Sequence, residues 1–117
     1  MRKITKLLQR NTQFLIITGI ILIQGCAVNF GKDFDPKAFH KWVVTGQTSK
    51  SDVIKFLGPP TSKGMVIERD GTILTRFLYY YGKGKLSDME NAKFKMLEVR
   101  FTDDKKVSNY NWSAASE

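Results

Sequence analysis

Cysteine, histidine and long apolar runs are scarce in this sequence of 117 residues. Cys26 is the only cysteine, so no disulfide can form within one chain. His40 is the only histidine, and no second histidine or free cysteine is available to share a metal with it. The longest uncharged apolar stretch, residues 14–23, falls short of the roughly 20 residues that a membrane-spanning helix needs. The single cysteine therefore excludes a disulfide scaffold.

The first 25 residues have the composition of a signal peptide. Before the apolar stretch there are four basic residues and no acidic residue: Arg2, Lys3, Lys6 and Arg10. Residues 23–26 read Ile-Gln-Gly-Cys, which resembles the bacterial lipobox. We predict cleavage before Cys26, with a diacylglyceryl group on its thiol and an acyl chain on its new amine, an anchor strong enough for stable attachment. The alternative is an uncleaved anchor that spans the membrane with residues 12–28.

The net charge indicates which kinds of molecule this chain can bind. The chain carries +8, but residues 26–117 hold 15 cations and 11 anions, or +4. This moderate charge suits anionic lipid or acidic protein and lacks the clustered basicity of a nucleic-acid binder. Ala27 follows the predicted lipid site, and the absence of aspartate there favours the outer membrane. We therefore predict a lipid-anchored protein on the periplasmic face of that membrane, with no nucleic-acid partner.

We predict a lipidated tether over residues 26–34. Its last eight residues reach roughly 25–30 Å when extended. Two helix signals follow the tether. Asp35 and the proline after it open a first helix, which Gly46 ends. Thr48 or Ser49 caps a second helix, which Gly58 ends.

Strand signals fill the rest of the chain. Asp70-Gly71 joins two strands as a hairpin, over residues 65–69 and 72–81. Residues 82–91 predict a mobile loop, 93–102 and 107–112 predict strands, and 113–117 a flexible tail. We therefore predict one α+β domain over residues 35–112, with two N-terminal helices packed on a three- to four-stranded antiparallel sheet as a two-layer sandwich.

Residues 46–53 and 56–60, which read Gly-Gln-Thr-Ser-Lys-Ser-Asp-Val and Phe-Leu-Gly-Pro-Pro, resemble the helix signature of the SmpA/OmlA (BamE-like) family of small outer-membrane lipoproteins. The aromatic strand 77–81 and the hairpin 97–107 are similar to that family as well. The resemblance implies a non-catalytic adaptor that binds a larger envelope protein, such as the β-barrel assembly machinery, and anionic phospholipid. An inhibitor or exclusion lipoprotein of the same fold, encoded by a mobile element, is the alternative.

Candidate contact residues are aromatic or basic. They are Phe30, Phe34, Tyr79, Tyr80, Tyr81 and Lys83. At least one of the three consecutive tyrosines must face away from the core, because strand side chains alternate. Core packing and partner contact both remain open for them. His40, the acidic pair at residues 103–104 and the glycine-lysine segment 82–85 lack the pattern of a catalytic, cation or phosphate site, so we predict no enzyme activity, metal or cofactor.

Overall fold

A computed structural model of the chain describes residues 27–115. The predicted leader and Cys26 lie outside the described residues, as do residues 116–117. In chain order, the described elements are β1 Ala27–Phe30, α1 Pro36–Trp42, α2 Lys50–Leu57, β2 Ser62–Ile67, β3 Ile73–Lys85, β4 Asp88–Phe101 and β5 Val107–Ala115. Neither helix in this part is long and apolar enough to cross a membrane.

β3 is the central strand of one antiparallel sheet. β4 pairs along one of its edges, and β5 pairs with the far side of β4. On the other edge of β3, β2 pairs with residues 73–78 and β1 with residues 82–85. At about 3.3 Å per residue, the 13 residues of β3 place the β2–β3 turn and the β3–β4 turn about 40 Å apart.

Both helices begin at the capping residues that the sequence identifies. The Asp35 carboxylate accepts hydrogen bonds from two backbone N–H groups in the first turn of α1, at 3.0 and 3.2 Å. Ser49 caps α2 and forms a reciprocal capping box with Asp52. Gly58 ends α2 with a φ of 85°, a conformation that favours glycine. The predicted limits of the second helix are confirmed, whereas the first already ends at Trp42.

The hydrophobic core lies between the two helices and one face of the sheet. Phe39 of α1 and Val53 of α2 are fully buried there. The strands contribute Phe77, Tyr79, Leu97, Val99, Phe101 and Val107. The rings of Trp42 and Phe56 stack with centroids 4.3 Å apart and join the helices. Side chains at the alternate strand positions lie on the opposite face, which we call the open face.

The predicted fold class is wrong. The described chain begins with a strand, and its two short helices lie between β1 and β2 instead of preceding a sheet of three or four strands. The helices have seven and eight residues, whereas β3 and β4 alone have 13 and 14. Residues 27–115 are therefore mostly antiparallel sheet, because residues 27–30 and 82–91 extend the strands beyond their apolar segments.

Residues 82–91 form the end of a long hairpin and not the predicted loop. β3 continues to Lys85 and β4 starts at Asp88, so two residues turn the chain. Most side chains of this ribbon are exposed, which removes the alternation of apolar and polar residues that marks a half-buried strand. Residues 113–115 of the predicted tail belong to β5, which continues to Ala115 opposite Phe94.

β1 occupies part of the predicted tether. It pairs with residues 82–85 of β3. Gly82 makes room for the Phe30 ring, which a Cβ at that position would overlap. Gly31 has a φ of 75° and passes so close to the Tyr80 carbonyl that a Cβ would collide with its oxygen. The chain after residue 26 is thus fixed along the edge of the sheet, where an irregular segment was predicted.

Candidate functional site

Tyr79 belongs to the core and not to a contact surface. It is 4% exposed, and its hydroxyl donates a hydrogen bond to the carbonyl oxygen of Gly58 at 2.9 Å. This bond ties the end of α2 to the middle of β3. Burial raises the pKa of Tyr79 to about 12, so its hydroxyl stays protonated and remains a donor at neutral pH.

Phe34 and Tyr81 help to fasten the segment between β1 and α1. Phe34 is half-buried, and its ring meets that of Tyr79 edge-on with centroids 6.2 Å apart. The Lys95 ammonium lies 5.8 Å from the centre of the Tyr81 ring. It also donates hydrogen bonds to the Asp33 carboxylate at 3.0 Å and to the Phe34 carbonyl at 3.1 Å. The bond from Lys95 holds the pKa of Asp33 below its ordinary value.

Phe30 and Tyr80 come together on the open face, where they line a shallow groove of about 310 Å³. Strand pairing places Tyr80 opposite Met96, and Gly82 lies between Phe30 and Phe94. The rings of Phe30 and Phe94 are 48% and 45% exposed. We call this surface the Phe30 groove, and its lining includes Phe30, Tyr80, Phe94, Met96, Ser113 and Ala115.

Phe94 and Met96 are groove residues that the sequence prediction missed. Both lie in β4, where Ala92, Phe94 and Met96 alternate with lysines at positions 93 and 95. This period of two is the signal that identifies them. The alternation places them on the open face, whereas Leu97 belongs to the core.

Lys83 lies away from the Phe30 groove, near the turn between β3 and β4. It is opposite Lys93 of β4 and Asn29 of β1. These residues line a second shallow pocket, of about 330 Å³, which Lys85 and Ala27 also border.

The six predicted contact residues therefore fall into three places. Tyr79 belongs to the core, and Phe34 packs against it. Phe30, Tyr80 and Tyr81 line the Phe30 groove, and Lys83 lies at the basic end of the hairpin.

A charged row crosses the open face. One oxygen of Glu98 accepts a hydrogen bond from Arg100 Nε at 3.0 Å and lies 4.0 Å from Arg76 Nε. Its other oxygen accepts a hydrogen bond from the Asn111 amide at 3.1 Å. Partial burial acts to raise the pKa of Glu98, but the hydrogen bonds and the two guanidinium charges hold it below its ordinary value.

We expect Glu98→Gln to lower the free energy of unfolding at pH 7 by about 1–2 kcal/mol, because hydrogen bonds between charged groups are lost. The folded-state pKa of Glu98 is depressed, so its contribution is complete above the unfolded-state value of about 4.3 and is lost as the pH falls through the folded-state value. Urea unfolding between pH 7 and pH 3 measures both effects. Glu68→Gln, at an exposed carboxylate, is the control. An acid dependence that is identical in the parent and Glu98→Gln would contradict this assignment.

A second exposed apolar cluster lies at the opposite end of β3. Met65, Ile67 and Ile73 are each more than half exposed. Ile67 is paired with Ile73, and Met65 lies two residues before Ile67 on the same face of the sheet. The sequence predicted the hairpin but not this surface, which we call the distal patch.

His40 lies in an aromatic cluster. Its Nδ1 is 2.6 Å from the Tyr110 hydroxyl oxygen, and its ring packs against Trp112 with centroids 5.1 Å apart. Across residues 27–115 there is no group of three or more acidic, histidine or cysteine side chains that could hold a metal ion. The geometry thus describes a small antiparallel-sheet protein with exposed apolar surfaces.

No protein-family model, no curated protein and no solved structure matches this chain. The resemblance to the SmpA/OmlA family therefore remains a prediction from residues 46–53, 56–60, 77–81 and 97–107.

Proposed function

We propose that this chain is a lipid-anchored, non-catalytic adaptor of the bacterial outer-membrane envelope, similar in role to the BamE-like components of the β-barrel assembly machinery. Acyl chains on Cys26 hold it to the periplasmic face of the membrane, and its folded domain binds a larger envelope protein. The Phe30 groove is the observation that carries the proposal, since an exposed aromatic cluster beside polar residues is typical of a protein contact surface.

The chemistry of the groove supports a protein partner. Phe30 and Phe94 keep nearly half of their surface exposed, although each could be covered by an apolar side chain of a partner. The neighbouring row of Glu98 and Arg100 supplies charged groups at the border. An apolar centre with a polar rim is the usual anatomy of a specific interface.

Placement relative to the predicted anchor supports the proposal further. Phe30 lies four residues after Cys26 in the chain, and β1 holds it against β3. A partner bound in the Phe30 groove would therefore be held near the membrane surface, as an adaptor of a membrane assembly requires.

The test compares two exposed apolar positions in the full-length protein made with its leader. We expect Phe94→Glu to reduce recovery of the envelope partner from detergent-solubilised membranes at least about tenfold, because burying a charge in an aromatic contact costs more than 1.4 kcal/mol. Ile67→Glu in the distal patch is the matched control and should leave recovery unchanged. If Ile67→Glu alone removes the partner, the groove is not the binding site.

The anchor is tested by the intact mass of the membrane-extracted protein, beside Cys26→Ser. The proposal requires a species that begins at residue 26 and carries added acyl mass, and it requires Cys26→Ser to lack that mass. An unmodified full-length chain would contradict the lipid anchor.

Recovery of a single target protein whose activity falls when this chain binds it would favour an inhibitor over an adaptor.

A further inference from the structure

β5 is an edge strand, and its outer side pairs with no other described strand. It has nine residues, which read Val-Ser-Asn-Tyr-Asn-Trp-Ser-Ala-Ala, and none of them is charged or is proline. Exposed edge strands usually carry a charge or a proline, or are very short, because their unpaired backbone groups otherwise pair with another chain. β5 therefore presents an unprotected edge.

The other two edge strands within residues 27–115 differ from β5. β1 has only four residues. β2 has six residues and carries Lys63. Short length and a lysine are two of the features that prevent edge-to-edge pairing. β5 is both longer than these strands and free of charge over its whole length.

Only the start of β5 is covered on its outer side. The Val107 N–H donates a hydrogen bond to the Thr48 carbonyl at 2.9 Å, and the Val107 carbonyl accepts one from the Gly46 N–H at 2.7 Å. Apart from the pairing with β4, no backbone hydrogen bond joins residues 108–115 to another described segment. The free part of the edge therefore begins after Val107.

The side chains of β5 differ between its two faces. Tyr110 and Trp112 lie on the helix side, because they are paired with core residues of β4. Their rings stack with centroids 6.1 Å apart, and Trp112 stays 38% exposed. The residues that alternate with them on the open face are small and polar: Asn109, Asn111 and Ser113.

A second copy of β5 is complementary to this edge. Two antiparallel β5 strands that continue one sheet are related by a twofold axis perpendicular to it, and paired side chains must lie on the same face. Odd-numbered residues then pair with odd ones and even with even. An axis through Asn111 places Tyr110 opposite Trp112 of the second copy, twice. Cross-strand aromatic pairs are stabilising, and no like charges meet along the contact.

We propose that two copies of this chain associate through antiparallel pairing of their β5 edges, centred on Asn111. The contact joins two five-stranded sheets into one and places both Phe30 grooves on the same face. Symmetry puts the two Cys26 residues at equal height along the axis, so both proposed anchors can enter one bilayer. The inference goes beyond the proposed adaptor role and does not depend on it.

Disulfide cross-linking tests the pairing in the full-length protein, processed in cells and extracted from membranes. In Asn111→Cys the two introduced cysteines would lie directly opposite each other, with Cα atoms about 4.5–5.5 Å apart, which a disulfide can bridge. We expect most of this variant to form a linked dimer on mild oxidation with copper phenanthroline.

Asn109→Cys is the matched control. The twofold axis places its two cysteines four residues apart along the strands, at about 13 Å, so it should form no linked dimer by itself. Ser113→Cys should behave in the same way. Co-expression of these two variants with different tags should give a mixed linked dimer, because positions 109 and 113 lie opposite each other.

The parent protein reports on the anchor separately, because Cys26 is its only cysteine. A linked dimer of the parent would contradict the lipid on Cys26 and not the β5 contact. Asn111→Cys combined with Cys26→Ser then tests the β5 contact alone. A failed anchor and a failed β5 contact are therefore distinguishable.

Charges at positions 109 and 113 test the same register without cysteines. Asn109→Glu with Ser113→Glu places like charges opposite each other twice, and we expect the dissociation constant of the dimer to rise at least about fivefold. Asn109→Glu with Ser113→Lys places opposite charges there, so its dimer should be as tight as that of the parent or tighter. Sedimentation equilibrium in detergent measures all three proteins.

Linking of Asn111→Cys that is no stronger than that of Asn109→Cys would overturn the proposal. Equal dissociation constants for the two charge variants would do the same, as would a parent that sediments as a monomer at every concentration. Circular dichroism of each variant distinguishes a lost dimer from a lost fold.

Discussion

Replacing Phe39 by alanine is expected to lower the free energy of unfolding by about 3–5 kcal/mol. Phe39 is fully buried and connects both helices to the sheet. Its ring contacts that of Tyr110 edge-on at 5.4 Å, and those of Trp42 and Phe56 at 5.9 and 6.3 Å. Removing it leaves a cavity where these elements meet. A domain of this size has a total stability of about 5–15 kcal/mol, so the variant should be close to unfolding.

Urea denaturation measures the loss, and Phe94→Ala is the matched control. That variant removes the same atoms from a ring that is 45% exposed, so it should cost about half as much or less. Equal losses at the two positions would mean that Phe39 does not join the helices to the sheet as described.

Gly31→Ala is expected to release β1 from the sheet. Gly31 has a φ of 75°, which is unfavourable for alanine, and the new Cβ would collide with the Tyr80 carbonyl oxygen. Because β1 has only four residues and all of them are exposed, little apolar burial opposes its release. We expect the backbone amides of β1 to lose at least about tenfold of their protection in hydrogen exchange, since strain of this kind costs about 1–3 kcal/mol.

Gly71→Ala is the control for the same substitution at a glycine of positive φ outside β1. Gly71 also has a positive φ, of 89°, but no atom lies near the position of its Cβ. This variant should leave the exchange of β1 unchanged and affect only the β2–β3 turn. If it exposes β1 as strongly as Gly31→Ala does, the contact with Tyr80 is not what holds the strand.

The sequence predicts local structure well where a single residue has one clear role. Ser49 with Asp52 defines the start of α2, Gly58 defines its end, and Asp70-Gly71 defines the β2–β3 hairpin. Each of these signals acts within a few residues. The predicted fold class was wrong because β1 pairs with residues more than fifty positions later in the chain. No local pattern in residues 27–30 reveals that pairing.

The residues of the Phe30 groove were predicted only in part. Phe30 and Tyr80 stood out as aromatic residues in places where exposure was plausible, and the structure brings them together. Phe94 was missed because the residues beside it in the predicted strand 93–102 are lysines and the predicted loop 82–91 comes shortly before it. Tyr79 has the same chemistry as Tyr80, and the alternation of strand side chains alone decides which of them is buried.

The short strand β1 also determines how the domain responds to mechanical tension. β1 runs antiparallel to β3, and its first residue, Ala27, lies at the end of the sheet nearest Cys26. A pull between the proposed anchor and a bound partner therefore acts along the strand, so the bonds between β1 and β3 share the load in shear instead of opening one at a time. We expect this four-residue strand, which buries little apolar surface, to stay paired under steady load. When it detaches it does so as a unit, and the chain between the proposed membrane anchor and the domain becomes longer.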